Sequence, residues 1–331
     1  MLQKDLKVGT FNLLNLVSQG LPYYEREGYD KDTYEKKINW IAKQIDKMEV
    51  DIVGFQEVFH EAALRDVLKK TEKLKDAHVK VAAANGKLPR VAIASRFPIL
   101  ESEVFEAFPS QLEMEGQKIP IDDFSRPILK SMLKINEELT FCVYVVHLKS
   151  KRPLFEGKES RKDPVALAKG QVRALIRRGA EAAALRELLM KDLMFRSHPV
   201  ILLGDVNDNG LSVTSRTISG EPPHKRYPQE VKKKIWDVLL YHVKDIQARR
   251  SYHDHYFTHI HNGFHEALDH IMVSEELVKE NPKSIGAVNY VHIFNDHLLD
   301  ETLSRDEPNQ WQSDHGQVVA TLNLRRKREK K

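Results

Sequence analysis

The 331-residue sequence has a single cysteine, Cys142, which excludes an internal disulfide and with it any disulfide-stapled scaffold. A lone thiol suits a reducing compartment, so a cytoplasmic location is expected. Glycine and proline are sparse, at 15 and 14 residues, and neither a collagen-like nor a low-complexity chain fits. No stretch approaches the roughly 18 consecutive apolar residues of a membrane span. The segment Met1 to Lys7 is charged and runs directly into a strand-like pattern. It has neither the apolar stretch nor the small-residue cleavage site of a signal peptide, and none is expected. Aromatic residues make up only 8%.

What is present describes a soluble globular chain, 41% apolar and 30% charged. Such a length can bury roughly three-quarters of its unfolded surface without metal or disulfide staples. The 52 basic and 48 acidic residues leave a net charge of +4, but its distribution is uneven. Lys149 to Arg178 holds ten basic and three acidic residues, a net +7. Arg325 to Lys331 holds six and one, a net +5, so the remainder carries −8. An acidic body with one internal basic block and a basic end points to a polyanionic partner met at defined places. The end is expected to be a disordered, solubilising tail. The block reads equally as a solvated face or as a set of phosphate contacts.

Apolar runs alternate with amphipathic stretches along the chain. Leu6 to Asn12 alternates as a strand does. Asp32 with Glu35 has the capping-box pattern, and Ile38, Ile41, Ile45 and Met48 then fall on one helical face. Asp51 to Gln56 reads as a buried strand, Glu61 to Lys70 as a helix, and Val79 to Ala83 and Val91 to Ser95 as strands. Phe105 to Asp123 reads as irregular. Pro127 to Ile135 and Leu139 to His147 form a hairpin pattern around Asn136-Glu137-Glu138. Pro164 to Asp192 is the longest helical pattern, Pro199 to Gly204 a central strand, and residues 208 to 265 are mixed and polar. Leu268 to Val273 and Gln317 to Leu324 read as the last two strands. With no internal repeat and no clear linker, the expectation is one α/β domain over residues 1–324 and a tail over 325–331.

Polar residues stand where the apolar strands end, the place where α/β folds build their sites. They are Asn12, Glu57, His147, Asp205, Asn207, Asp269 and the pair Asp314-His315. Taken singly, each is explained as a turn or cap residue. Together they supply carboxylates, amides and imidazoles with no thiolate, which matches an oxygen-lined site for a hard divalent cation.

The ordered strings Phe11-Asn12, Gln56-Glu57, Val146-His147-Leu148, Gly204-Asp205-Val206-Asn207, Leu268-Asp269-His270-Ile271 and Ser313-Asp314-His315 resemble the endonuclease/exonuclease/phosphatase superfamily, the DNase I-like phosphodiesterases. Ala92 to Ile99 and Ser125-Arg126-Pro127 are similar to further family segments. The resemblance spans about residues 6–324. It implies a four-layer α/β sandwich, two mixed β-sheets packed face to face with flanking helices, and hydrolysis of a phosphate ester by water with Mg²⁺ or Mn²⁺. By that resemblance Asn12 and Glu57 match metal ligands, and Asp314 a residue beside the metal or at a second cation. Asp205 and Asn207 match residues that orient water and hold a phosphate oxygen. His315, bonded to Asp269, matches the phosphate contact or base, and His147 the support of the leaving oxygen. Val206 stands where the family more often has Phe, Pro89-Arg90 departs from its usual glycine turn, and His147 has no evident partner acid.

The substrate is less legible. Lys149 and Lys151 follow the catalytic strand end, and Lys169, Arg173 and Arg177 recur every four residues along one helix face. With Arg126, they are candidate contacts to a nucleic-acid backbone, which favours a nuclease, endo- or exo-cleaving, acting on DNA or RNA. A phosphatase or phosphodiesterase for a small or lipid-linked ester is the alternative, and no protein partner can be inferred. His253, His255, His259, His261 and His265 crowd one stretch with Asp254. Alternate spacing would put His259 and His261 on one strand face as zinc ligands, but no cysteine or third spaced ligand accompanies them. The segment is therefore read as the approach to Asp269, with Tyr252, Tyr256 and Phe257 packing rather than stacking on bases.

Overall fold

A computed structural model of the chain describes residues 5–83, 86–195, 197–250, 256–303 and 309–325. The expected tail beyond Arg325, and Tyr252 to His255 of the histidine-rich stretch, lie outside the described residues.

Two six-stranded mixed sheets form the body. The first runs β15 (Gly286–Phe294), β16 (Gln317–Leu324), β1 (Asp5–Leu16), β2 (Ile52–Val58), β4 (Arg90–Ser95), β3 (His78–Val81). The second runs β11 (Leu240–His242), β14 (Asp269–Ser274), β10 (Val200–Asp205), β9 (Leu139–His147), β8 (Asp123–Asn136), β5 (Ile99–Ala107). Each sheet has one parallel pair at its centre, β1 with β2 and β9 with β10, among antiparallel neighbours. Parallel pairs need a crossover, and the helices α1 (Lys31–Met48) and α3 (Pro164–Phe195) supply it. Both pairs therefore deliver their C-terminal ends to one edge of the body. Two small hairpins, β6 (Glu113–Met114) with β7 (Gln117–Lys118) and β12 (His259–His261) with β13 (Phe264–Glu266), project from it.

The strands are apolar on both faces because both faces are covered. Val8, Ile52 and Ile93 of the first sheet pack on Val143, Val145, Ile201 and Leu203 of the second. The other face of the first sheet, through Phe11, Val53 and Phe55, packs on Ile38, Ile41 and Ile45 of α1 and Leu64 and Val67 of α2 (Glu61–Leu68). The other face of the second, through Tyr144, Val146 and Leu202, packs on Leu185, Leu188 and Leu189 of α3. The result is the expected four-layer α/β sandwich.

Three local expectations are corrected. The cap of α1 is Asp30, two residues before the capping-box pattern, and its carboxylate accepts the Thr33 N–H at 2.7 Å. Asp32 instead lies in the first turn, where its charge favours the helix dipole. Ile99–Ala107 is a strand, extending into the stretch read as irregular, and the β6–β7 hairpin occupies part of the rest. Residues 286–294 form a strand between the two expected to be last. Both missed strands are sheet edges with mixed, partly exposed faces, so neither carries the continuous apolar run of a central strand.

Candidate active site

Strand register assembles the centre. Asp205 at the end of β10 is opposite His147 of β9 on one side and Asp269 of β14 on the other. Three side chains thus form one row across the second sheet. The close approach of β10 to β9 requires Gly204, at φ 149°, because a Cβ there would sit 2.1 Å from the Val146 carbonyl oxygen. From the first sheet, Asn12 of β1 crosses to the row, its Nδ2 donating to Asp205 Oδ2 at 3.2 Å. His315, just before β16, completes it: Nδ1 bonds Asp269 Oδ2 at 2.8 Å, and Nε2 lies 3.9 Å from Asp205 Oδ2. His147 Nε2 lies 3.4 Å from the same Asp205 oxygen, which supplies the partner acid that the sequence left unassigned. Asp205 Oδ1 accepts the Asn207 N–H at 2.8 Å, and Asn207 Nδ2 donates to the Leu148 carbonyl at 3.0 Å. All these side chains are buried.

Burial and charge set distinct protonation states. Burial, reinforced by Arg126 and His315, holds His147 well below the ordinary imidazole range, so it is neutral. Burial opposes charge on His315 too, but the Asp269 charge and hydrogen bond, with Asp205 and Asp314 beyond, raise it well above that range. Asp205 is pushed up by burial and by Asp269, against the pull of His315. A neutral and a charged imidazole therefore flank one basic carboxylate.

Glu57, at φ 64°, lies in the last residues of β2, its carboxylate accepting the Asn15 N–H at 2.9 Å. Beneath it lies a group that sequence reasoning missed. Lys37 of α1 is fully buried, donates to the Leu14 carbonyl at 2.8 Å and the Gln310 carbonyl at 3.4 Å, and stands 5.4 Å from the Tyr29 ring centre. Burial lowers its pKa to about 8, while Glu57 and Asp314 act to keep it charged. The available signal was a lysine at the spacing of the apolar stripe. Two hydroxyls were also missed. Ser313 Oγ donates to the Asn12 carbonyl at 2.7 Å and accepts the His315 N–H at 3.0 Å. Thr258 Oγ1 accepts the Leu268 and Asp269 N–H groups at 3.0 and 3.1 Å.

Some buried polar atoms here have no partner among the described residues: His147 Nδ1, Asp269 Oδ1, Asp314 Oδ1 and Arg126 Nε. Acceptor oxygens held without donors in a pocket of carboxylates and an amide fit a divalent cation and an anionic substrate. The acidic and imidazole donors of Asp205, Asp269 and His315 lie within 4.8 Å of one another, as do those of His259, Asp314 and His315. Glu57 stands outside both groups.

The basic candidates separate. Arg126 of β8 reaches the centre, its Nη1 donating to the Leu148 carbonyl at 3.1 Å and its charge acting on His147 and Asp205. Lys149 is half-buried beside it, and burial with Arg126 lowers its pKa to about 8. Lys151 pairs with Glu266. Arg173 is bound by both Glu159 oxygens, at 2.6 and 2.9 Å. Arg177 bonds Asp123 at 2.5 Å and Ser125 at 2.9 Å. Lys169 alone of the stripe is exposed with no ion pair among the described residues. The structure thus brings Arg126 and Lys149 to the centre and ties Arg173 and Arg177 to neighbouring carboxylates.

With this geometry in place, the family model described as the Endonuclease/Exonuclease/phosphatase family matches residues 9–315. The chain belongs to that family. Solved structures share its fold at low identity. A family member from Bacteroides vulgatus is 16% identical, with a TM-score of 0.58, covering 97% of this chain and 100% of that one. A mannosyl-6-phosphatase from Bacteroides thetaiotaomicron is 18% identical, with a TM-score of 0.55, over 96% and 99%. The human Nocturnin catalytic domain, solved with a bound sulfate anion, is 15% identical, with a TM-score of 0.53, over 97% and 95%. No curated protein matches the sequence. Family membership makes the chain a phosphoester hydrolase of a kind that works with divalent metal, and the acid, amide and imidazole groups described above are the ones available for it. No described helix is long and apolar enough to cross a membrane.

Proposed function

We propose that the chain is a Mg²⁺- or Mn²⁺-dependent phosphodiesterase that cleaves nucleic acid, DNA or RNA, by in-line attack of water. The observation that carries this reading is the row His147, Asp205, Asp269, faced by Asn12 and completed by His315. Residues 1–324 are read as one catalytic domain. The single buried thiol of Cys142 goes with a cytoplasmic location.

Asn12, Glu57 and Asp314 are the residues that would hold the cation, whose chemistry is to neutralise the phosphoryl oxygens and the departing oxygen. The protein groups do the rest. Asp205, raised in basicity and fixed by the Asn207 N–H, orients the water and takes its proton. Asn207 holds a phosphate oxygen. His315, kept charged by Asp269, donates to the phosphate, and Arg126 adds a second positive charge there. His147, neutral and on the far side of Asp205, supports the leaving oxygen. Lys149 and Lys151 lie on the same rim, with Lys169 further along α3.

A second reading has its own support. Arg173 and Arg177 are engaged by carboxylates, and one fold neighbour is a mannosyl-6-phosphatase, which together favour a small or lipid-linked phosphate ester. One experiment separates the two. Purified protein, stripped with EDTA and restored with Mg²⁺ or Mn²⁺, is offered plasmid, single-stranded DNA, RNA, bis-p-nitrophenyl phosphate and a panel of phosphomonoesters. Cleavage of nucleic acid is expected, falling about 1000-fold in Glu57→Gln with the fold unchanged. Hydrolysis confined to monoesters would overturn the nuclease reading, and full activity of Glu57→Gln the metal assignment.

A further inference from the structure

The β12–β13 hairpin brings to the centre an imidazole with no part in the mechanism above. Thr258 fixes its position: its hydroxyl takes the Asp269 N–H, its carbonyl accepts the Gly316 N–H at 2.7 Å, and its N–H donates to the Glu266 carbonyl at 2.8 Å. The residue just before His259 is therefore stapled to both β14 and the approach to β16. The His259 ring then lies 5.0 Å from the His315 ring, centre to centre. A ring nitrogen of His259, a carboxylate oxygen of Asp314 and a ring nitrogen of His315 lie within 4.8 Å of one another. His259 Nδ1 and Asp314 Oδ1 are buried, and neither has a hydrogen-bond partner among the described residues. A cavity of about 390 Å³, lined by His259, His261, His297 and Asp314, opens beside them.

We infer that His259, Asp314 and His315 form a zinc site, selective for Zn²⁺ over Mg²⁺, that shares Asp314 with the proposed catalytic cation and whose occupation inhibits the enzyme. Two imidazoles and a carboxylate are a borderline-soft set with the composition of known zinc sites, whereas Mg²⁺ takes oxygen ligands almost exclusively. Zinc–ligand lengths of about 2 Å put tetrahedral donors roughly 3.3 Å apart, so the three donors, within 4.8 Å of one another, draw together on binding. Because Nδ1 of His315 is taken by Asp269, the nitrogen left for zinc is Nε2, on the side facing Asp205, and zinc binding there releases the Nε2 proton to solvent. Zinc and phosphate therefore compete for one atom. The zinc partners of His259 are Asp314 and His315 rather than His261, which lies on the same strand face with its ring 6.2 Å away.

The inhibitory part of this inference rests on the proposed role of His315, whereas the binding part does not. The test therefore has two arms. Zn²⁺ is titrated calorimetrically into the full chain in excess Mg²⁺, and Co²⁺ serves as a spectroscopic probe of the same site. One equivalent of Zn²⁺ and tetrahedral Co²⁺ bands are expected in the wild type and in Glu57→Gln. His259→Gln should weaken both by more than the ~10–100-fold that even an outer-sphere partner costs. His259→Phe, which keeps ring volume without a nitrogen, provides a second variant should the first fold poorly. In the activity arm, the Zn²⁺ concentration that halves Mg²⁺-driven hydrolysis of bis-p-nitrophenyl phosphate should rise by the same factor in these variants. No stoichiometric Zn²⁺ uptake by the wild type, or equal uptake by the His259 variants, overturns the site. If no phosphoester is cleaved at all, the function falls while the binding arm still decides the site.

Discussion

The proposed catalytic centre and the α3 part of the basic stretch, Arg173 and Arg177, treat their charged groups in opposite ways. At the centre, polar groups are held where partners run short among the described residues: Asp269 and Asp314 each keep an unpartnered carboxylate oxygen, Arg126 an unpartnered Nε, and His147 an unpartnered Nδ1. Along α3, Arg173 and Arg177 are matched by Glu159, Asp123 and Ser125. A buried polar atom without a partner is costly and is kept where something else will bind it. A paired surface cation costs little and signals little. Density of charge in the sequence and lack of polar partners in the fold are therefore separate signals.

The sharpest way to break this contrast is a double-mutant cycle on Asp269 and His315. If they work as one unit, Asp269→Asn and His315→Gln should each lower kcat about 1000-fold, and the double variant little further. Additive losses, measured on bis-p-nitrophenyl phosphate with folding checked by circular dichroism, would mean that the 2.8 Å contact is not used in catalysis.

A smaller effect separates the cations of α3. Lys169→Gln removes the unpaired one and should flatten the salt dependence of polyanion binding by roughly one unit of slope, if that face meets a nucleic-acid backbone. Arg173→Gln should instead lower the melting temperature by a few degrees and leave turnover of the small diester alone. Salt slopes that respond to Arg173 and ignore Lys169 would reverse the assignment.

The smallest effect concerns orphaned polarity away from the centre. His242 is buried with neither ring nitrogen partnered among the described residues, and burial, then His270 and Lys244, hold it well below its ordinary pKa. Folded, it stays neutral; unfolded, it takes a proton below about pH 6.5. Its contribution is thus full above that pH and is lost as the pH falls, by up to about 1.4 kcal/mol per unit. Denaturant curves of His242→Leu and wild type should diverge steadily from pH 7 to pH 5, in favour of the variant. Parallel curves would show that His242 is protonated in the folded chain.

The legible parts of this molecule were those written locally. Central strands showed as apolar runs, and Asn12, Glu57, His147, Asp205 and Asp269 stood out as polar residues within or at the edge of one. Edge strands β5 and β15 did not, since their faces are mixed and partly exposed. The fate of Arg177 was unreadable for another reason: its spacing is local, but its partner Asp123 lies 54 residues away. His147 lacked a partner on paper for the same reason, because Asp205 becomes its neighbour only through the β9–β10 register.

Lys37 has a consequence for the order of events. A cluster of carboxylates that awaits a cation tends to push itself apart, and in many small metal sites the chain cannot close until the ion arrives. Here an ammonium already sits beneath Glu57 and Asp314, clasping Leu14 near the end of β1 and Gln310 ahead of Ser313. The fold carries its own resident cation, fully buried. On the proposed reading, a divalent ion would come to a mould already set, as a visitor to the chemistry and not as the keystone of the arch.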